Sequence, residues 1–189
     1  MSAAQLSFLD EPTPQPALPL RREALLSPCG EYRYHLLREW DATKPRALFV
    51  MLNPSTADAL LDDPTIRRCV GFARGWGMGG IEVVNLFALR ATNPEALWDR
   101  LENERSIANG DHVREAVLRA IQATGSVIVA AWGAHASAER GVVQEFLRSV
   151  PVGTRVMCLG KTRGGAPKHP LYLAANTALE IFAEGTGPR

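Results

Sequence analysis

The sequence predicts an α/β domain of three layers: a central, mostly parallel four-stranded sheet with an antiparallel N-terminal edge strand, and helices on both faces. Three observations carry this. Four apolar runs, each too short for a helix, recur along the chain; segments with helical periodicity separate them; and every run stops at a polar stretch punctuated by Gly or Pro. Strands buried on both faces read as continuous apolar runs, and strands alternating with helices favour a parallel sheet joined by right-handed crossovers. At 189 residues, with 46% hydrophobic and 22% charged, the chain suits one globular domain with its own core.

Residues 1–29 contain Pro12, Pro14, Pro16, Pro19 and Pro28, which deny a continuous helix or central strand and predict an extended tail. The domain is therefore expected over residues 30–189. Tyr32, Tyr34 and Leu36 alternate with Arg33, His35 and Leu37, the period-two pattern of the edge strand. Residues 47–52 (ALFVML) form the first parallel strand and end at Asn53-Pro54. Asp62 or Asp63 caps a helix with Pro64 in its first turn; Ile66, Val70 and Ala73 share one face, and Gly75 and Gly77 end it. Residues 81–87 are the second strand. A short helix through Leu97 and Trp98 follows Asn93-Pro94, then a longer one in which Val113, Val117, Leu118 and Ile121 recur at helical spacing. Residues 126–131 are the third strand, Val142, Val143, Phe146 and Leu147 mark the next helix, and residues 155–159 are the fourth strand. A last helix is predicted from Pro170, turning Leu171, Leu179 and Phe182 inward.

Net charge is +1, so no global positive field announces a polyanion, although a local cluster of Arg and Lys at one mouth would suffice. Cys29, Cys69 and Cys158 lack any C-x-x-C spacing, which predicts reduced core thiols and encodes neither a disulfide framework nor a metal site or cofactor. The N-terminal segment has no basic and apolar regions of a secretory signal, and no run approaches the ~18 apolar residues of a membrane span. A cytoplasmic location is the expectation.

Candidate chemistry lies at the strand exits. The first exit carries Asn53, Ser55, Thr56 and Asp58; the second Asn85, Phe87, Arg90 and Thr92; the third Trp132-Gly133; the fourth Lys161, Thr162, Arg163, Gly164, Gly165, Lys168 and His169. In open α/β sheets ligands collect beyond the carboxyl ends of the strands. Each residue has a plainer role available: Asn-Pro as a turn, Ser55 or Asp58 as a cap, Arg90 in a surface pair, Phe87 and Trp132 in the core. Their convergence on one rim, beside apolar walls, is what indicates a small-molecule site.

The runs NPSTAD, DDPTIRRC, VVNLFALRAT, AAWG and KHPLYL resemble a bacterial and phage domain family of unknown function, over nearly everything from Tyr32 onward. The same layout is distantly similar to the uracil-DNA glycosylase superfamily: Asn53-Pro54 resembles the asparagine form of its mismatch-specific branch, Asn85 or Arg90-Ala91-Thr92 its middle-strand motif, Ala131-Trp132-Gly133 its third, and His169-Pro170 its last. That likeness implies a glycosylase-like fold and a base-recognising, base-excising protein acting on altered bases in DNA. His169 would donate to the departing base, Asn53 would hold water, and Asp58, Asp62 or Asp63 would swing in as general base. Asn85 would read a base edge, Phe87 or Trp132 would offer a stacking face, and Ser55, Thr56, Arg90, Thr92, Lys161, Thr162 and Lys168 would bind phosphate.

The chain departs from that pattern at four points. Asn53 stands where the fastest branch has Asp, Ser55 replaces Gly or Tyr, Leu171-Tyr172 follows His-Pro where Ser is usual, and the cysteines of the iron–sulfur branches are missing. Two alternatives stay open: a non-catalytic nucleic-acid-binding module, and an enzyme acting on free or modified nucleotides. Gln5, Leu6, Phe8 and Leu9 resemble the peptide by which bacterial repair proteins bind the sliding clamp, a segment of the kind that folds on binding.

Overall fold

A computed structural model of the chain describes residues 21–93, 97, 107–134 and 140–188. The clamp-like peptide at Gln5 to Leu9, and Trp98 of the expected short helix, lie outside the described residues.

The chain is an α/β domain built on a seven-stranded mixed sheet of order β1-β2-β4-β3-β5-β6-β7. Strands β3 (Arg46–Met51), β4 (Gly80–Asn85), β5 (Val127–Ala130) and β6 (Arg155–Cys158) run parallel to one another. Antiparallel strands flank them: β1 (Arg21–Leu26) and β2 (Arg33–Glu39) beside β4, and β7 (Glu180–Glu184) beside β6. The sheet is thus wider than the four strands and single edge that the sequence suggests.

Two segments differ from expectation. Residues 21–26, assigned to the tail, pair with β2, so the ordered domain starts before Gly30. No proline falls between Arg21 and Leu26, and their alternating exposure is that of an edge strand. Beyond His169 there is no final helix but one 3-10 turn, Pro170–Tyr172, then β7. Pairing with β6, otherwise an open edge, outweighs the helical spacing of Leu171, Leu179 and Phe182.

Helices cover both faces. In α1 (Pro64–Gly75) the Asp63 carboxylate accepts from Ile66 N at 2.8 Å and Pro64 occupies the first turn; Ile66, Cys69, Phe72 and Ala73 pack on Ala47, Phe49, Met51, Ile81 and Val83. On the other face, α2 (Ile107–Gln122) and α3 (Arg140–Ser149) bury Val113, Ala116, Val117, Phe146 and Leu147 against Leu48, Val50, Val84, Ile128 and Val156. Among the described residues the thiols are free; Cys69 and Cys158 are buried as expected, whereas Cys29 is exposed. No described helix is long and apolar enough to cross a membrane.

One irregularity bears on the site. Leu25 of β1 opposes His35 while Leu26 opposes Arg33, leaving Tyr34 as an extra residue in β2. Tyr34 and His35 both turn to the α2 face: the Tyr34 ring lies 4.8 Å from that of His112, tilted by 31°, and His35 Nε2 lies 2.9 Å from Glu82, which Arg119 also grips. Arg33 is thereby returned to the α1 face, beside Leu36. A bulge re-aims a side chain in this way at the cost of one unpaired residue.

Candidate functional site: a cleft at the strand exits

The carboxyl ends of β3, β4, β5 and β6 surround a cleft of about 700 Å³, within the roughly 300–1,000 Å³ common for small-molecule sites. Asn53, Ser55 and Thr56 line it from the β3 exit, Asn85 and Thr92 from β4, Trp132 from β5, and Thr162, Lys168 and His169 from β6. Met51, Leu52 and Ile66 supply apolar surface, and Arg33, Asp63 and Thr65 contribute further polar groups. Asn53 and His169 therefore reach one hollow from strands that are not neighbours.

Asn85 is the group least expected in a settled interior. It ends β4, is 1% exposed, and neither Nδ2 nor Oδ1 has a hydrogen-bond partner among the described residues. Leaving a buried amide unpaired costs about 1–3 kcal/mol. Its neighbour Asn53 is differently placed: Nδ2 donates to Pro54 O at 3.1 Å and Ala91 O at 2.7 Å, tying the β3 and β4 exits together. With the nitrogen committed, Oδ1 is the atom left to accept.

His169 precedes the 3-10 turn, and its Nδ1 accepts from Leu171 N at 3.3 Å. In the neutral ring this places the proton on Nε2, which makes the imidazole a donor. The preceding loop is rigid by its own bonds: Lys168 N donates to Gly160 O, Thr162 N to Ala166 O (2.8 Å each) and Ala166 N to Thr162 Oγ1 (3.2 Å). Gly133, at φ +78°, sits where a side chain would begin 3.6 Å from His169 Cβ, so the β5 and β6 exits meet here. Tyr172 stands at the mouth, 85% exposed, with its ring 6.3 Å from that of His169.

Several expected site residues do not reach the cleft. Asp58 is held in a turn in which Oδ1 accepts from Leu60 N (2.7 Å) and Leu61 N (2.8 Å); those backbone donors hold its carboxyl below the usual range and weaken it as a base. Asp63 is the carboxylate that lines the cleft. Arg90 spends its guanidinium on Ser55 O, Gly30 O and Thr56 O, so it shapes a wall. Phe87 is buried on the α2 face, where with Asn109 it lines a separate cavity of about 450 Å³. Lys161 lies 5.9 Å over the Phe182 ring. Trp132 borders the cleft but packs edge-on against Phe146 and Phe182, as a core residue does. Arg163 is exposed and outside the lining. Arg67 and Arg68 divide: the first is exposed and donates to Asp62 O, the second donates to Leu173 O beside the cleft.

Residues 55–62 are gripped by four arginines. Arg22 donates to Ala59 O and Leu60 O, Arg33 to Ala57 O, Arg38 to Asp58 O, Leu61 O and the Asp62 carboxylate, and Arg90 to Ser55 O and Thr56 O. Arg33 and Tyr172 are two of the cleft residues that sequence reasoning missed, Thr65 being another. The first is hidden by the β2 bulge; the second had a signal in the Leu171-Tyr172 that follows His-Pro.

No curated protein and no solved structure matches the chain. The family model described as "Protein of unknown function (DUF1643)" matches residues 33–171, from the first residue of β2 to the turn that follows His169. That span holds every lining residue of the cleft except Tyr172 and Leu173. The chain belongs to the DUF1643 family, and the cleft falls within its matched region.

Proposed function

We propose that the cleft binds a nucleobase and that the protein hydrolyses the N-glycosidic bond of an altered base in DNA. Asn85 carries this reading: a buried amide whose donor and acceptor have no partner among the described residues matches the edge of a heterocycle, which would satisfy both. The order of the motifs, similar to that of uracil-DNA glycosylases, supports it.

Cleavage of the glycosidic bond leaves positive charge on the sugar and negative charge on the base. His169 Nε2–H donates to the departing base, and loss of one such preorganised donor typically lowers a rate ~10²- to 10³-fold. Asn53 Oδ1 accepts from the attacking water, while Asp63, in place of Asp58, takes its proton. Tyr172, exposed at the mouth, supplies the stacking face that Phe87 and Trp132 do not.

Duplex oligonucleotides carrying uracil, hypoxanthine or a mismatched thymine, treated with alkali after incubation, report excision as strand scission. Wild type is expected to cut at least one of them, His169→Ala and Asn53→Ala to lose this by a hundredfold or so, and Asn85→Ala to lose discrimination between bases. Unchanged scission in all three variants would refute the assignment.

A second reading is favoured by one observation. The cleft volume suits a single nucleotide. An enzyme acting on free nucleotides would show affinity almost insensitive to salt, whereas a polyanion partner gives a steep decline.

A further inference from the structure

The cleft contains a buried cation that the reading above leaves unused. Arg33 is 2% exposed, and among the described residues only Nη1 of its guanidinium is bonded, to Ala57 O at 2.8 Å. Its Nε is buried without a partner, and the side chain makes no ion pair among the described residues. The arginines around it differ. Arg38 is saturated by the Asp62 carboxylate and loop carbonyls, Arg90 by three carbonyls, and Arg22 by Ala59 O, Leu60 O and Asp62.

A guanidinium removed from water without a contacting counter-ion is unfavourable unless something arrives to pair with it. Burial pushes its pKa down to about 10; the Asp63 and Asp58 carboxylates oppose that shift, and the positive charges of Arg90 and Arg38 add to it. Asp63 Oδ1 caps α1 at Ile66 N, and no ion pair joins this carboxylate to Arg33 among the described residues. The β2 bulge at Tyr34 is what turns Arg33 toward the cleft, and bulges that re-aim a side chain concentrate beside active sites.

We propose that Arg33 is the anion-recognising residue of the cleft, using its open Nε edge as a two-pronged fork for the oxygens of a ligand phosphate. The ligand class is then a nucleoside phosphate, free or within a strand, and neither a free base nor a nucleoside. This rests on the base-reading role given to Asn85. The planar fork matches two oxygens of one phosphate, and the Ser55 and Thr56 hydroxyls and the Lys168 ammonium line the same cleft for the remaining ones.

Titration calorimetry of the full chain tests this with the common nucleosides, their 5′-monophosphates, ribose 5-phosphate, and single-stranded pentanucleotides containing each base. For the base that binds, the monophosphate or the pentanucleotide is expected to bind about 10- to 100-fold tighter than the nucleoside, the range for hydrogen bonds to a charged group. Arg33→Gln loses that gain while keeping nucleoside affinity. Arg33→Lys, which retains charge but not the fork, loses most of it and serves if the glutamine variant does not fold. Equal affinity of wild type for nucleoside and phosphorylated probes overturns the proposal, as does a phosphate gain unchanged in the variants, or no binding of any phosphorylated probe. Ribose 5-phosphate matching every monophosphate would leave Arg33 its role and remove that of Asn85. Base-selective nucleoside binding with no gain from phosphate would do the reverse. A pentanucleotide tighter than the monophosphate assigns the phosphate to a strand, a weaker one to a free nucleotide; either supports the role of Arg33.

Discussion

Asn109 Nδ2 on α2 donates to the backbone carbonyls of Asn85 (3.1 Å) and Leu86 (3.0 Å), so a residue behind the sheet fixes the segment that presents the unpaired amide to the cleft. Both carbonyls lose their partner in Asn109→Ala. Since each lost bond to a buried group costs about 1–3 kcal/mol, thermal unfolding should show a clear drop. Ligand affinity should fall as well, although Asn109 does not line the cleft. Unaltered affinity in a folded Asn109→Ala would show that the two asparagines are not coupled.

Asn85→Leu should behave in the opposite sense on stability. The amide it removes is buried and unsatisfied, so an apolar residue of similar shape is expected to raise unfolding stability by about 1–2 kcal/mol. The same change should abolish discrimination between bases. Denaturant unfolding alongside binding measurements separates the two effects, and a destabilised Asn85→Leu would mean that the amide is already satisfied.

Tyr172→Ala should spare the fold and weaken the ligand. With 85% of its surface exposed, the ring contributes little to packing, whereas stacking on a base is worth about 1–3 kcal/mol. An unchanged melting temperature with a weaker Kd is the expected pair of results. Equal Kd values would remove Tyr172 from the site.

Stability should fall in acid partly through Glu82. Burial pushes this carboxyl up, but the contacts from His35 and Arg119 outweigh it and hold it below its ordinary value of 4.5. A carboxylate lowered in the folded state contributes stability that is present above the unfolded value and lost as pH falls through the folded one. Glu82→Gln should therefore flatten the melting temperature against pH below about pH 4.5, where wild type declines. Parallel acid limbs in the two proteins would contradict this.

Gly79→Ala probes the turn before β4. A methyl group there would meet Asp41 O at 1.9 Å, a backbone atom that cannot swing aside. The loss should be about 1–3 kcal/mol or more, as for overpacked sites, read by denaturant unfolding. Gly77→Ala is a different case: that residue has open space but a φ of +75°, so its loss reflects backbone strain alone.

The central strands were legible because β3, β4 and β5 are buried on both faces and cannot hide their apolar runs. The cap at Asp63 with Pro64 marked α1 nearly to the residue. The edges were harder. Residues 21–26 and 180–184 are half-exposed and owe their strand state to pairing with β2 and β6, which local sequence does not encode. At the site, Asn53 and Asn85 at strand ends, and His169 in the loop that follows the last parallel strand, followed from topology. Whether Arg90 or Asp58 turns toward the ligand depended on which carbonyls and amides the loops offer, a matter of tertiary contact. Arg33 was out of reach because one inserted residue inverts the alternation on which a strand reading depends.

The hold of Arg22, Arg33, Arg38 and Arg90 on residues 55–62 is almost entirely through carbonyl oxygens, which every amino acid carries alike. The contour of this wall is thereby uncoupled from the identity of its side chains. Selection can exchange Ser55 or Thr56 for other residues and retune what the protein admits, while the scaffold beneath keeps its shape.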